Sequence, residues 1–276
     1  MKMKQKIDGI MVRDVAVQPM WPERICDKSI VIGRYDIEQE IDYIRQHPQY
    51  TFILGFSHQT RTLWQPYLSE FAKLENILGI SDHSSPNSYL SQAEIELFKN
   101  LQYIDTTSDI FSDTAREIDY GRFAKLKILK CYGEYGLNGL DDAKFLESLE
   151  VTLKPTKAQY DFSILTDVQH LRRLKLHYPK IESISELYMP KKLQWLYLEP
   201  VSKLQKVDDL QQYCNISRLV VHRAKTVKDW TVLGNLNRLN FLGLVQCGDV
   251  VLPKSLENSQ AVKNGNFWGS RLSFVD

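Results

Sequence analysis

Two histidines, His177 and His222, are the residues whose type comes nearest to metal or acid–base chemistry in this sequence. Imidazole binds zinc and changes its charge near neutral pH, which suits both kinds of site. A zinc site uses about four ligands, however, and no cysteine or third histidine accompanies this pair. We therefore expect no metal site, and we interpret both histidines as solvated or partner-contacting side chains.

Motifs for catalysis are absent from the sequence. There is no glycine-rich phosphate loop, no G-x-S-x-G nucleophile turn and no H-E-x-x-H zinc motif. The stretch YGEYGLNGLD at 132–141 lacks the Lys-Ser/Thr ending of a phosphate loop, so we interpret it as a loosened turn. The sequence predicts a protein that is not an enzyme and has no cofactor. It also predicts no deep pocket lined by titratable groups of shifted pKa.

The cysteines favour a reducing environment. Cys26, Cys131, Cys214 and Cys247 are widely separated and form no C-x-x-C pair, which argues against a zinc ribbon or a disulfide framework. The N-terminal stretch lacks the apolar core of a secretory signal, and no apolar run approaches the roughly 20 residues of a membrane span. We expect a cytoplasmic protein without membrane contact.

Composition and charge are those of an ordinary globular protein. Of 276 residues, 43% are hydrophobic and 25% are charged, which allows a sizeable core. The formal net charge of +1 gives no overall reason to expect nucleic acid or an anionic membrane as a partner.

A leucine pattern, L-x-x-L-x-L, recurs along the chain and must position any functional side chain. Its copies begin at Leu126, Leu171, Leu193, Ile216 and Leu239, and the last four are spaced by 22, 23 and 23 residues. Around residue 150 the even spacing favours Ser148-Val151-Leu153, and Leu146-Leu149-Val151 is the rival register. Further copies are expected at Leu101 and at about Leu74, with strand-like runs near residues 50 and 30.

The residues before each copy have a second period. Apolar or aromatic side chains usually precede the first leucine by six and by three places, as Leu210 and Tyr213 precede Ile216. A three-residue period is typical of a 3-10 turn that shows one face to the core, and the alternating L-x-L is typical of a short strand. Each unit is thus predicted to be one strand and one helical turn. Neighbouring units must stack to bury their leucines.

This pattern resembles the leucine-rich repeat family, in its short class of about 22 residues. The resemblance implies an α/β solenoid with a parallel β-sheet on the concave face and short helices or 3-10 turns on the convex face. The family usually has Asn or Cys three places after the last strand leucine. Those places hold Pro179, Val201, Ala224 and Cys247 here, so only the last unit fits and we expect irregular turns.

A solenoid also needs caps, because a bare terminal repeat exposes core and strand edge. Residues 1–48 are expected to form an N-terminal cap with a first irregular strand and a helix in DIEQEIDYIRQ, whose Ile37, Ile41 and Ile44 share one face. Residues 49–250 would form the solenoid, and residues 251–276 a C-terminal cap.

Side chains between the leucines would form the concave face. Their aromatic and arginine content is typical of protein-interaction hot spots, whereas a solvated face would favour Lys, Glu and Ser. The alternative is that the aromatics only shield neighbouring strands. In the favoured register Glu150, Thr152 and Lys154 lie beside Arg173, Lys175 and His177. The predicted partner-binding residues are Tyr103, Lys130, Tyr132, Arg173, Lys175, His177, Trp195, Tyr197, Glu199, Arg218 and His222.

The sequence therefore predicts a non-catalytic protein whose concave face binds a protein partner. The partner is expected to be a toxin, which would make the chain a bacterial immunity protein, or an enzyme that the chain regulates as a subunit. The alternative is a nucleic-acid or anionic-ligand binder that uses the basic and aromatic side chains of the same face. Asp105, Glu150 and Glu199 interrupt the basic column, which makes nucleic acid the less favoured partner.

Overall fold

The computed structural model describes residues 4–7, 10–14, 26–57, 60–82, 89–107, 118–132, 137–154 and 160–276. The chain divides into two compact units, Met1–Gly139 (unit 1) and Leu140–Asp276 (unit 2). Short strands alternate with short helices or 3-10 turns in both units.

Unit 1 begins with antiparallel strands and continues as a parallel sheet. β1 (Lys4–Ile7) pairs with β2 (Ile10–Asp14), and β2 pairs with β3 (Lys28–Val31), antiparallel in both cases. Parallel pairing in chain order then joins β3 to β4 (Phe52–Phe56), β5 (Ile77–Asp82), β6 (Tyr103–Asp105) and β7 (Ile128–Tyr132). The connecting helical segments are α1 (Ile37–Gln46), α2 (Arg61–Trp64), α3 (Leu68–Ala72) and α4 (Gln92–Glu96), with 3-10 turns at Gln65–Tyr67 and Tyr120–Arg122.

Helix α1 confirms the helix predicted in DIEQEIDYIRQ. The Asp36 side chain caps it by accepting hydrogen bonds from two amides of the first turn. Ile37, Ile41 and Ile44 are all buried on its inner face.

The expected repeat start at about Leu74 is wrong. Ile80 pairs with Ile104 of β6, so Ile77 takes the place that Leu101 has in the next unit. Leu74 instead accepts a hydrogen bond from the Ile77 amide and so ends the preceding three-residue turn. Both residues are apolar and three places apart, which is why the sequence favours the wrong one.

Unit 2 has five parallel strands paired in chain order. They are β8 (Ser148–Thr152), β9 (Arg173–His177), β10 (Trp195–Glu199), β11 (Arg218–His222) and β12 (Phe241–Val245). The pairing confirms the predicted column of Leu174, Leu196, Leu219 and Leu242, each at most 1% exposed. A second column beside it is fully buried and consists of Val151, Leu176, Leu198, Val221 and Leu244. These two columns form the strand side of the core of unit 2.

The three-residue period before each strand has a backbone cause. The amide of Leu210 donates to the carbonyl of Val207, that of Tyr213 to Leu210, and that of Ile216 to Tyr213. Trp230, Leu233, Leu236 and Leu239 repeat the same chain of hydrogen bonds in the next unit. Because each such turn contains three residues, every third side chain faces the core. The 3-10 turns before β8 to β12 lie at Leu140–Asp142, Ser163–Thr166, Ile184–Leu187, Asp208–Gln212 and Thr231–Asn235.

The favoured register around residue 150 is wrong, and the rival register is correct. Leu149 pairs with Leu174, and Val151 pairs with Leu176. Leu146 therefore begins this unit, and its side chain is fully buried. Ser148 takes the outward position beside Arg173, whose Nη1 donates a hydrogen bond to the serine Oγ at 3.4 Å. A leucine at the first position buries more apolar area than a serine would, which stabilises the rival register.

The turns after the strands recur without the expected asparagine. Tyr178, Arg223 and Gln246 follow β9, β11 and β12 with φ angles of 61°, 63° and 56°. The equivalent residue after β10 is Pro200, whose ring holds φ negative. Among the turns after β9 to β12, the one after β10 is therefore the irregular one. The next residues, Pro179, Val201, Ala224 and Cys247, are all buried.

The C-terminal segment covers one edge of unit 2. The Asn266 amide donates to the Leu242 carbonyl at 3.0 Å, and the Leu244 amide donates to the Asn266 carbonyl at 2.9 Å. A separate parallel pair joins β13 (Gly248–Pro253) to β14 (Ser270–Val275), with a 3-10 turn at Lys254–Leu256 and helix α5 (Gln260–Lys263) between them. The domain boundaries expected at residues 48 and 250 stay predictions. Among the residues that the structure describes, no helix is long and apolar enough to cross a membrane.

Candidate functional site

The open face of unit 2 is formed by the first, third and fifth residues of strands β8 to β12. These side chains point away from the leucine columns because successive side chains of a strand alternate between its two faces. The register aligns them in three columns that run across the strands. The first column is Ser148, Arg173, Trp195, Arg218 and Phe241; the second is Glu150, Lys175, Tyr197, Val220 and Gly243; the third is Thr152, His177, Glu199, His222 and Val245.

The first column is a stack of alternating cations and rings. The Arg173 guanidinium carbon lies 5.2 Å from the Trp195 ring centroid, and that of Arg218 lies 4.7 Å from it on the next strand. Arg218 also lies 4.5 Å from the Phe241 ring centroid. Aromatic faces attract cations at these distances, so Trp195 and the two arginines hold one another in place. Burial between the rings lowers the pKa of Arg218.

The second column is organised by one carboxylate. Lys175 Nζ lies 2.8 Å from Glu150 Oε1, and the same lysine lies 5.1 Å from the Tyr197 ring centroid. His177 Nε2 lies 3.0 Å from the same Glu150 oxygen. Glu150 therefore stands opposite Lys175, two residues away from Arg173, its expected neighbour in the favoured register.

The third column contains His177 and His222, the two histidines singled out in the sequence. His222 Nε2 lies 3.1 Å from the Tyr197 hydroxyl, and its Nδ1 lies 3.4 Å from Glu199 Oε1. Burial lowers the pKa of His222, and the positive charges of Arg223 and Lys175 act in the same direction, whereas Glu199 raises it. Burial raises the pKa of the Tyr197 hydroxyl, and its hydrogen bond to Glu199 raises it further. His222 is thus biased towards its neutral form.

A depression lies at the ends of these strands. We call it the strand-end pocket; its volume is about 520 Å³ and it is lined by His177, Tyr178, Glu199, Pro200, His222, Arg223, Val245, Gln246 and Trp268. The Arg223 Nε donates to Gln246 Oε1 at 2.9 Å, and Trp268 is 68% exposed. The sequence predicts no pocket that collects titratable groups of shifted pKa. His177, Glu199 and His222 line this depression, and burial lowers the pKa of His222, so the expectation stays a prediction. In the described part of the chain, no group of three or more His, Cys, Asp or Glu side chains could hold a metal ion.

The predicted contact residues of unit 1 form a smaller group. Lys130 Nζ lies 5.9 Å from the Tyr103 ring centroid, and the Tyr103 hydroxyl donates to Asp105 Oδ2 at 3.0 Å. Tyr132 ends β7 and is half-buried. The eight other predicted contact residues all lie in unit 2, on its open face.

Comparisons with known proteins return solved structures of repeat proteins. Internalin C2 of Listeria monocytogenes is 19% identical over 75% of this chain and 93% of its own, with a TM-score of 0.42. A leucine-rich repeat protein of Leptospira interrogans is 12% identical over 82% and 68%, with a TM-score of 0.40. The plant peptide hormone receptor RGFR1, in complex with RGF2, is 11% identical over 81% and 43%, with a TM-score of 0.35. No family model matches the sequence, and no curated protein matches it significantly.

The assignment of the fold rests on the chain's own architecture. Parallel strands in register, each preceded by a 3-10 turn, stack their leucines in continuous buried columns. The fold is therefore a leucine-rich-repeat solenoid. Because strand side chains alternate, the residues between the strand leucines share one face of the sheet, so candidate functional side chains can be identified from the register.

Several residues of this leucine-rich repeat face are not among the predicted contacts. Phe241 flanks Arg218 in the first column, and Arg223, Gln246 and Trp268 line the strand-end pocket. The sequence contains a signal for Arg223 and Gln246, since both directly follow a strand of the repeat. It contains none for Trp268, because the terminal segment departs from the leucine pattern.

Proposed function

We propose that this leucine-rich repeat protein is a non-catalytic binding protein that holds a protein partner on the open face of unit 2. The observation that carries the proposal is the stack of Arg173, Trp195, Arg218 and Phe241. Tryptophan and arginine dominate protein-interaction hot spots, since both bury apolar area and offer directed polar contacts. A face that already holds these side chains in place loses less conformational entropy when a partner binds.

The proposal extends to the kind of partner and the place of action. A toxin that the chain neutralises, or an enzyme that it regulates as a subunit, are the two partner classes we propose. The cytoplasm is the proposed location, because the four cysteines are all free thiols. The activity of the partner, measured bound and released, separates the two classes. A toxin is inactive while bound and regains its activity on release, whereas a regulated enzyme is active at a different rate when the chain is bound.

Nucleic acid is the competing ligand class. Arg173, Lys175 and Arg218 would supply its phosphate contacts, but Glu150 and Glu199 lie between or beside these cations on the open face. Phosphate binding weakens steeply with salt because counterions are released. An affinity that falls by about a thousandfold or more between about 50 mM and about 200 mM salt would favour nucleic acid over a protein partner.

The test is a comparison of two variants as bait in extracts of the cell that makes the protein. Trp195→Ala removes the central ring of the open face. Phe145→Ala removes a ring that is 59% exposed and lies outside the open face, which makes it the matched control. We expect the wild type and Phe145→Ala to retain the same partner, and Trp195→Ala to bind it at least about 30-fold more weakly, the hot-spot threshold of about 2 kcal/mol. Equal retention by both variants, with both folded, would contradict the proposal.

A further inference from the structure

Basic side chains cluster at one end of the strands of unit 2. These cations lie at or just before the first residues of β9 to β12, and we call them the strand-start patch: Arg172, Arg173, Lys191, Lys192, Arg218 and Arg238. Arg173 is buried, and the other five are exposed or part-buried. Glu147, which precedes β8, is the acidic residue at this edge. At the opposite ends of the same strands lies the acidic residue Glu199. The strand starts therefore carry a net positive charge, whereas at the strand ends Glu199 and Arg223 offset each other.

The carboxylates of the open face are already occupied. Glu150 contacts Lys175 and His177, and Glu199 contacts His222. In contrast, within the part of the chain that the structure describes, no carboxylate forms an ion pair with five cations of the strand-start patch. These five are Arg172, Lys191, Lys192, Arg218 and Arg238. The charge of these five cations is therefore not compensated by an ion pair among the described residues.

Arg218 differs from the four other members of the patch that form no ion pair among the described residues, because its position is fixed. Rings on two neighbouring strands hold its guanidinium, with centroids at 4.7 Å (Trp195) and 4.5 Å (Phe241). A guanidinium held through its faces keeps the N–H donors at its edge for a planar acceptor, and a carboxylate accepts two of them in parallel. Such a cation has lost part of its hydration, so a carboxylate from outside gains more here than at a fully solvated lysine.

We infer that the strand-start patch binds an acidic segment of the partner protein, with a carboxylate placed on Arg218 between Trp195 and Phe241. This inference rests on the proposed function and adds the chemistry and orientation of the partner. A protein segment fits this distribution of charge, because it can place acidic residues at the strand starts and neutral residues at the strand ends. A nucleic acid carries phosphate along its whole length and would meet Glu150 and Glu199 as well.

The experiment measures fluorescence anisotropy of a labelled oligoglutamate peptide on the full-length protein, with oligoglutamine as the uncharged peptide. Arg218→Gln removes the proposed anchor, Arg218→Lys keeps its charge without the planar fork, and Arg271→Gln removes an equal charge from an 82% exposed side chain on β14. We expect oligoglutamate alone to bind. Arg218→Gln should weaken it by about tenfold or more, Arg218→Lys by less, and Arg271→Gln by about twofold at most. Melting temperatures establish that each variant is folded.

Three results of the anisotropy measurement would overturn the inference. The first is equal weakening by Arg218→Gln and Arg271→Gln, which would indicate non-specific charge attraction. The second is no binding of oligoglutamate at about 50 mM salt, and the third is tighter binding of a duplex oligonucleotide with the same dependence on Arg218. With the captured partner, loss on Trp195→Ala but not on Arg218→Gln overturns this inference alone. Retention by both variants overturns the proposed function.

Discussion

Trp195 connects the strands of the open face through its contacts with Arg173 and Arg218, at 5.2 and 4.7 Å from its ring centroid. Each such contact is worth about 0.5–1 kcal/mol at an exposed site. We therefore expect Trp195→Ala to lower the free energy of unfolding by about 1–2 kcal/mol, measured by urea denaturation. Phe145→Ala, with its exposed ring, should change it by less than about 0.5 kcal/mol. A loss for Trp195→Ala as large as a core truncation would mean that its role is structural rather than in binding.

His222 makes the stability of the protein depend on pH. The direction of this dependence follows from the lowered pKa of His222. Burial and the charges of Arg223, Lys175 and His177 disfavour its protonation in the folded protein, against the opposing Glu199. The unfolded chain therefore binds this proton more readily, and the contribution of neutral His222 to stability is lost as pH falls below about 6.5 towards the folded pKa. We expect the melting temperature to fall less in His222→Gln than in the wild type between about pH 8 and about pH 5.

The matched control for that measurement is His170→Gln, since His170 is exposed and lies outside the open face. It should retain the wild-type decrease in melting temperature. An equal decrease in His222→Gln and the wild type would contradict the account of His222.

At the scale of the strands, stacking of the leucine columns is the main source of stability. Leu196 lies between Leu174 and Leu219 in the register and is 1% exposed. Truncation of such a side chain removes buried apolar area and leaves a cavity, so Leu196→Ala should cost about 2–5 kcal/mol. Leu196→Met preserves the volume and should cost less than about 1.5 kcal/mol. Chemical denaturation of both variants measures this, and an unchanged midpoint for Leu196→Ala would contradict the stacking.

The strands and turns could be predicted from the sequence where one period is unambiguous. The column through Leu174, Leu196, Leu219 and Leu242 follows from copies spaced evenly along the chain. The same reasoning fails at Ser148 and near Leu74, because a competing apolar residue lies two or three places away. Spacing alone does not weigh the free energy of burying leucine against that of burying serine. The recurring left-handed turns also escape prediction, since tyrosine, arginine and glutamine carry no sequence signal for positive φ.

For the molecule as a whole, the sequence predicts which residues belong to the candidate site, but it does not predict the contacts between them. The outward positions in unit 2 follow from the alternation of strand side chains. The pairing of Glu150 with Lys175 and His177 depends on a register that the sequence leaves between two choices. The strand-end pocket depends on Trp268, whose placement comes from the terminal segment and its hydrogen bonds to β12.

The central claim is that the open face of unit 2 holds the partner, and site-specific photo-crosslinking tests it most directly. A photoreactive phenylalanine derivative would replace Tyr197, in the middle of the open face, or Gln211, an exposed residue of the 3-10 turn Asp208–Gln212 on the other side of the sheet. In the cell that makes the protein, the account predicts a crosslinked partner from position 197 and none from position 211. Crosslinking of the same partner from position 211 and not from position 197 would contradict it.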